Sequence, residues 1–270
     1  MTNNLTSCDS KLEFERDGVE LARGLLPLVD VETIRDTFMQ QVESDRLALA
    51  ADDKLAQNDI LSQYPRFMQP HRRRDLSAGL VARKTMVDAR ITQIVTRLIG
   101  AAHGAQSMFY FKPPTARGQA MHQDNYFLRS NPETCLAAWI AIDDCDGGNG
   151  ALSVVPGSHR MEVVCPEESD ASESFTRGLV RPPEGMTAVQ TEMNAGDVLF
   201  FHGSLVHGSL PNTSLDRFRR SLIFHYVPTA SKEISRWYLP MTDLSTGNDV
   251  FIGEAGGGGP CGESWEGGAH

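Results

Sequence analysis

The stretch MHQDNYFL, residues 121–128, sets an imidazole and a carboxylate one residue apart, His122 and Asp124. On an extended strand, residues i and i+2 share a face, roughly 7 Å apart at about 3.3 Å per residue. The two side chains can therefore converge on one cation. Two donors alone are weak grounds for a site, since a surface His–Asp pair reads the same. Further donors lie downstream in GDVLFFHGSLVHGSLPNTSLDRFRRSLIFHYVP, residues 196–228, which carries His202, His207 and His225 with the basic cluster Arg217, Arg219 and Arg220. One of these histidines would complete a two-histidine, one-carboxylate set, which leaves positions open on an octahedral Fe(II). An arginine on the next strand could hold the far carboxylate of a chelating keto acid by paired hydrogen bonds.

Such groups need a frame. From about residue 106 the chain reads as short apolar runs, SMFYFK, CLAAWIAI, ALSVV, DVLFF and RSLIFHYVP, separated by the turn sequences DDCDGGNG, VPGSHR and NAGD. That pattern predicts an all-β barrel or jelly roll. Upstream, Val31, Ile34, Phe38 and Val42 repeat with helical period after an N-cap candidate at Asp30. Val87, Ile91, Ile94, Val95 and Leu98 do the same before Gly100, placed as a C-terminal glycine. Both helices read as packing elements. Residues 161–185, polar and proline-containing, read as a long surface excursion that could face a substrate. The glycine-rich stretch from Gly253 reads as mobile.

The 270 residues suffice for one large domain or two small ones, with 40% hydrophobic and 22% charged residues. A formal net charge of −10 argues against broad binding to nucleic acid or anionic membrane. The one basic run, HRRRD from His71 to Asp75, reads as a solvated face. No apolar run reaches bilayer length, and the N-terminus has no secretory pattern. The five cysteines, Cys8, Cys135, Cys145, Cys165 and Cys261, form no CxxC pair, the usage expected of free thiols in a reducing, cytoplasmic setting.

Taken in order, QSMFYFKPPTARGQAMHQDNYFL, AAWIAIDDCDGGNGALSVVPGSHR and GDVLFFHGSLVHGS with RFRRSL resemble the phytanoyl-CoA dioxygenase family of Fe(II)/2-oxoglutarate oxygenases. The resemblance implies a mainly β fold with flanking helices, a double-stranded β-helix of jelly-roll, cupin-like type. It implies one oxygenase domain over residues 1–252, helical over residues 1–105 and with a jelly-roll core over residues 106–228, ahead of a flexible tail at 253–270. His122, Asp124 and His207 match the family's metal ligands. Arg219 matches the arginine on the 2-oxoglutarate C5 carboxylate, Ser209 a hydroxyl on the same group, and Trp139 an aromatic wall of the cosubstrate pocket. The interval between His207 and Arg219 is one residue longer than the family pattern, which leaves Arg220 as the alternative. Strand parity, tying Arg219 to Ser221, Ile223 and His225, favours Arg219.

The implied activity is hydroxylation of a small molecule with Fe(II), 2-oxoglutarate and O2, releasing succinate and CO2. A ligand aspartate at 124 favours oxygen transfer over halogenation. Two other readings fit the motifs less fully: a cupin-like metal enzyme that does not use 2-oxoglutarate, and a non-catalytic binding or sensing barrel. Tyr126 and Phe127 read as pocket walls. His202 competes with His207, His159 reads as ordering its loop, and His225 as a core histidine. His71, His103 and His270 carry no context. Gln106, Tyr110 and Lys112 share a strand face, with packing the plainer role for each.

Overall fold

The computed structural model describes residues 7–50, 58–256 and 260–261. Its helices are α1 (Ser7–Asp17), α2 (Leu28–Asp45), α3 (Ile60–Gln63), α4 (Ser77–Met86), α5 (Ala89–Ile99) and α6 (Asp124–Leu128). Its first eight strands are β1 (Val19–Ala22), β2 (Phe67–Met68), β3 (Ala102–Tyr110), β4 (Gln119–His122), β5 (Leu136–Ala141), β6 (Leu152–Val154), β7 (Glu167–Glu168) and β8 (Gly178–Leu179). The rest are β9 (Val189–Gln190), β10 (Val198–His202), β11 (His207–Ser209), β12 (Ser221–Pro228), β13 (Glu233–Ile234), β14 (Met241–Asp243), β15 (Asp249–Val250) and β16 (Gly253–Glu254).

Two antiparallel sheets make the body. The larger runs β1-β10-β5-β12-β3-β14-β15 with β2 also paired to β3, and the smaller runs β4-β11-β6-β9. Burial on both faces explains why the central strands read as continuous apolar runs rather than polar–apolar repeats. On β12, Leu222, Phe224 and Tyr226 face the helices while Ile223 faces the smaller sheet. On β5, Ala138 and Ile140 face the helices while Trp139 and Ala141 point inward. Leu152 and Val154 of the smaller sheet close the same inner cluster, so the two sheets face each other as a jelly roll.

The helices cover the outer face of the larger sheet. Phe38 of α2 stacks on Phe109 of β3 at 4.0 Å, and Ile91, Val95 and Leu98 of α5 are buried in the same cluster. Two helix boundaries differ from the sequence expectation. Asp30 is not the N-cap of α2: the helix starts behind Pro27, and Asp30 sits in its first turn, paired with Arg90 at 2.7 Å. The run 85–100 is not one helix either. Asp88 adopts an extended backbone and accepts the Arg90 amide at 2.9 Å, capping a fresh helix α5 and separating it from α4. Gly100 closes α5 at φ +79° as expected.

The larger sheet also exceeds the predicted core limits of 106–228, from β1 at Val19 to β15 at Val250. At the far end, Gly253–Glu254 pairs in parallel with Glu233–Ile234, and the Gly256 carbonyl accepts from Arg129. Cys165 and Cys261 form a disulfide, which corrects the expectation of free thiols throughout. No motif marks this pair, because the partners lie 96 residues apart and meet only through the fold. His270 lies outside the described residues. No helix among the described residues is long and apolar enough to cross a membrane.

Candidate metal centre

His122 ends β4 and His207 begins β11, and the two are direct cross-strand partners. That register brings their rings to 4.2 Å between centroids. His122 Nδ1 lies 2.9 Å from the Ala120 carbonyl and His207 Nδ1 lies 3.0 Å from the Leu205 carbonyl. A carbonyl only accepts, so each Nδ1 carries the proton and each Nε2 offers a lone pair to the space between them.

Asp124 comes from elsewhere than expected. The strand stops at His122, Gln123 remains extended, and Asp124 is the first residue of α6. The i, i+2 relation survives through that one extended residue. Asp124 Oδ1 faces His122 Nε2 at 3.5 Å and His207 Nε2 at 3.6 Å, and Oδ2 is 2.8 Å from His225 Nε2. The three side chains of His122, Asp124 and His207 are buried and offer donor atoms all within 4.8 Å of one another, close enough to share one ion.

Electrostatics suit that use. Burial pushes the His207 imidazole down to about 4 against the pull of Asp124, so its Nε2 stays unprotonated at neutral pH. Burial works to raise the Asp124 carboxyl, yet the neighbouring imidazoles of His207, His225 and His122 hold it well below the usual carboxylate range. A carboxylate flanked by two imidazole nitrogens is a donor set for a divalent cation.

Arg219, Ser209 and Trp139 also come together. Arg219 is 2% exposed, donates to Ser221 Oγ at 2.9 Å and to Ser209 Oγ at 3.5 Å, and its guanidinium lies 5.3 Å from the centre of the Trp139 ring. Arg220, the alternative, points away and pairs with Asp143 at 2.6 Å. Beside Arg219 is a residue whose weight the sequence pattern understates. Lys112, 2% exposed, bonds Ser209 Oγ at 2.8 Å and the Leu210 carbonyl at 2.6 Å. Neither cation has a carboxylate partner within ion-pair distance among the described residues. Burial lowers both, and Arg219 lowers Lys112 further. The only sequence signal is a lysine at the end of an apolar strand, in FYFKPP.

Two cavities meet at His122 and Gln119. The inner one, about 20 Å³, lies between the donor cluster, Trp139, Ile223 and Tyr110. It has room for a water molecule and not for a five-carbon diacid, so a larger ligand must displace side chains there. The outer one, about 420 Å³, is bounded by Arg66, Tyr126, Phe127, Phe175 and Arg177. Tyr126 and Phe127 thus line a pocket, and the 161–185 excursion lines it too, through Pro166 and Phe175–Gly178.

The remaining histidines stand apart. His202 faces His159 at 5.5 Å between ring centroids, and its Nδ1 accepts the Ser204 amide. His71 is buried against Ser107. The HRRRD run is structural: Arg72 donates to the Trp237 and Pro240 carbonyls, Arg73 pairs with Asp75 and Arg74 with Asp249.

A buried two-histidine, one-carboxylate cluster between the sheets of a jelly roll defines a cupin-like protein able to hold one metal ion. The chain belongs to the phytanoyl-CoA dioxygenase (PhyH) family, whose profile matches residues 14–221. It is 33% identical over 135 residues to a phytanoyl-CoA dioxygenase of Arabidopsis thaliana, covering 45% of this chain and 43% of the relative. It is 36% identical over 148 residues to phytanoyl-CoA dioxygenase domain-containing protein 1 of Bos taurus, covering 52% and 50%. Each match thus spans about half of the relative's length. Among solved structures, EctD from S. alaskensis, crystallised with 2-oxoglutarate and 5-hydroxyectoine, shares the fold with a TM-score of 0.69 at 20% identity, over 94% of this chain and 90% of that one.

Proposed function

We propose that this protein is an Fe(II)- and 2-oxoglutarate-dependent dioxygenase that hydroxylates a small molecule. The observation that carries the reading is the pair of buried cations, Lys112 and Arg219, at one end of a site whose other end is the His122, Asp124 and His207 cluster. Burying an unpaired charge costs several kcal/mol per ion. Two cations around one serine hydroxyl are therefore built for an anion, and the far carboxylate of 2-oxoglutarate is the right group at that end. Membership of the family and the 2-oxoglutarate bound to EctD support the same cosubstrate.

When bound, Fe(II) with 2-oxoglutarate and O2 supplies the oxidising chemistry: substrate C–H becomes C–OH while the cosubstrate leaves as succinate and CO2. The chain does the rest. His122, Asp124 and His207 provide three donors and leave the ion's other positions open. Arg219, Lys112 and Ser209 bind and orient the C5 carboxylate by charge-assisted hydrogen bonds. Trp139, Leu152, Phe201 and Ile223 give the inner cavity one apolar side, which limits water around the bound cosubstrate. The substrate occupies the outer chamber, against Tyr126 and Phe127.

Anaerobic titration of Fe(II)-loaded protein with 2-oxoglutarate tests this. A saturable visible charge-transfer band is expected, absent in His122→Ala and His207→Ala. No band with iron bound near stoichiometry would instead mean a metal enzyme that does not use the keto acid.

A further inference from the structure

We propose that His225 is a positioning residue, holding the Asp124 carboxylate so that one oxygen alone faces the metal. This rests on the metal site proposed above and not on the cosubstrate. The torsion that turns a carboxylate is broad and soft, so nothing within Asp124 selects which oxygen faces the ion. His225 makes that selection. It is 1% exposed, and its Nε2 meets Asp124 Oδ2 at 2.8 Å, leaving Oδ1 toward His122 and His207. A carboxylate only accepts, so Nε2 carries the proton in this bond.

The mount is stiff. β12 lies between β3 and β5, with Gln106 and Ala137 as the register partners of His225 on either side. Occupying Oδ2 restricts Asp124 to a single donor atom and preserves the open positions that a chelating ligand requires.

The test compares His225→Leu, which removes the donor, with His225→Gln, which keeps a side-chain N–H. Fe(II) affinity is measured anaerobically against a chromophoric chelator, without keto acid, and melting of the metal-free proteins checks that both fold. His225→Leu is expected to bind Fe(II) roughly 10–100-fold more weakly, with His225→Gln recovering most of the loss. Leu affinity within about twofold of wild type, or Gln as weak as Leu, would overturn the assignment. If the wild type bound iron and never formed succinate from 2-oxoglutarate, the proposed activity would fail while this inference stood.

A separate observation carries a second inference. The structure assigns the Cys165–Cys261 bond the role of a staple across the outer chamber. Cys165 immediately precedes Pro166, which with Phe175–Gly178 makes one wall. Cys261 Sγ lies 3.4 Å from the hydroxyl of Tyr126, a second lining residue of the same chamber. The segment bearing Cys261 is anchored to the body through β16 on β13 and through Arg129 on Gly256. Cys165 is exposed and Cys261 half-buried, so a reductant can reach the bond. A dithiol reductant, delivering two electrons and two protons, converts it to two cysteine thiols and is itself oxidised to a disulfide. Phe175 and Val180 keep their backbone bonds to Gly118 and Met121, so the part set free is the stretch 162–165 that leads into Pro166, and the chamber opens there.

Hydrogen exchange over residues 162–165 reads this directly, in wild type and Cys261→Ser, each with and without dithiothreitol. Exchange in wild type should rise roughly tenfold or more on reduction. Cys261→Ser should exchange fast already and ignore the reductant. Unchanged exchange in reduced wild type, or a full complement of free thiols in denatured protein isolated in air, would overturn the staple.

Discussion

Lys112 and Arg219 repel each other in a dry site, and what holds them there is hydrogen bonding to Ser209, Ser221 and backbone carbonyls rather than any opposite charge. Their two roles separate on mutation. Arg219→Ala removes a charge-assisted clamp and should weaken 2-oxoglutarate binding by roughly 2–4 kcal/mol, read as a shift of the charge-transfer titration. Lys112→Met should also weaken the cosubstrate, yet leave the melting temperature of the unliganded protein unchanged or higher, because exchanging a buried charge for an apolar side chain is often neutral or stabilising. Wild-type 2-oxoglutarate affinity in Arg219→Ala would refute the clamp. A large drop in melting temperature for Lys112→Met would mean that the lysine is there for the fold.

At the scale of elements, the site depends on how α4 and α5 seat against β3. A Cβ at Gly79 would fall 1.8 Å from the Arg73 carbonyl, so the loop carrying HRRR lies directly on α4. Gly79→Ala must push helix and loop apart and should destabilise by roughly 3 kcal/mol or more, measured by denaturant unfolding. Asp88→Ala should cost about 1 kcal/mol through the lost α5 cap and its Arg90 contacts. Equal stability for the two variants would contradict the close approach.

For the whole molecule, buried histidines set the response to acid. Burial pushes His71 down to about 3 and His202 to about 4. Because both lie below the unfolded value near 6.5, the unfolded chain takes up protons first. The stability is complete above about pH 6.5 and is lost as pH falls from there toward about 4 and then about 3. At about pH 5 each should have withdrawn about 2 kcal/mol relative to neutral pH. Urea midpoints of metal-free protein at about pH 7.5 and about pH 5 measure this, with His71→Gln expected to show a shallower decline. A midpoint that does not move over that range would contradict the buried, neutral state of these rings.

The sheet-forming runs, the helical period of the packing layer, and the order in which HxD, HGS and the trailing arginine occur are all legible in the chain. These are local: a short apolar run between turn residues and a helix period are properties of a few consecutive residues, and Gly100 declares its turn alone. Whatever depends on residues far apart waited for the packing. Asp124 reaches His207 only because α6 begins where β4 ends, and Arg219 is separated from Arg220 because Asp143 captures the latter. His225, legible only as a core histidine, meets Asp124 across 101 residues. Lys112 and the Cys165–Cys261 pair carry no motif, since burial beside a like charge and a disulfide partner are properties of position in space. A local pattern can specify a donor atom, but its neighbours are chosen by the packing of two sheets against each other.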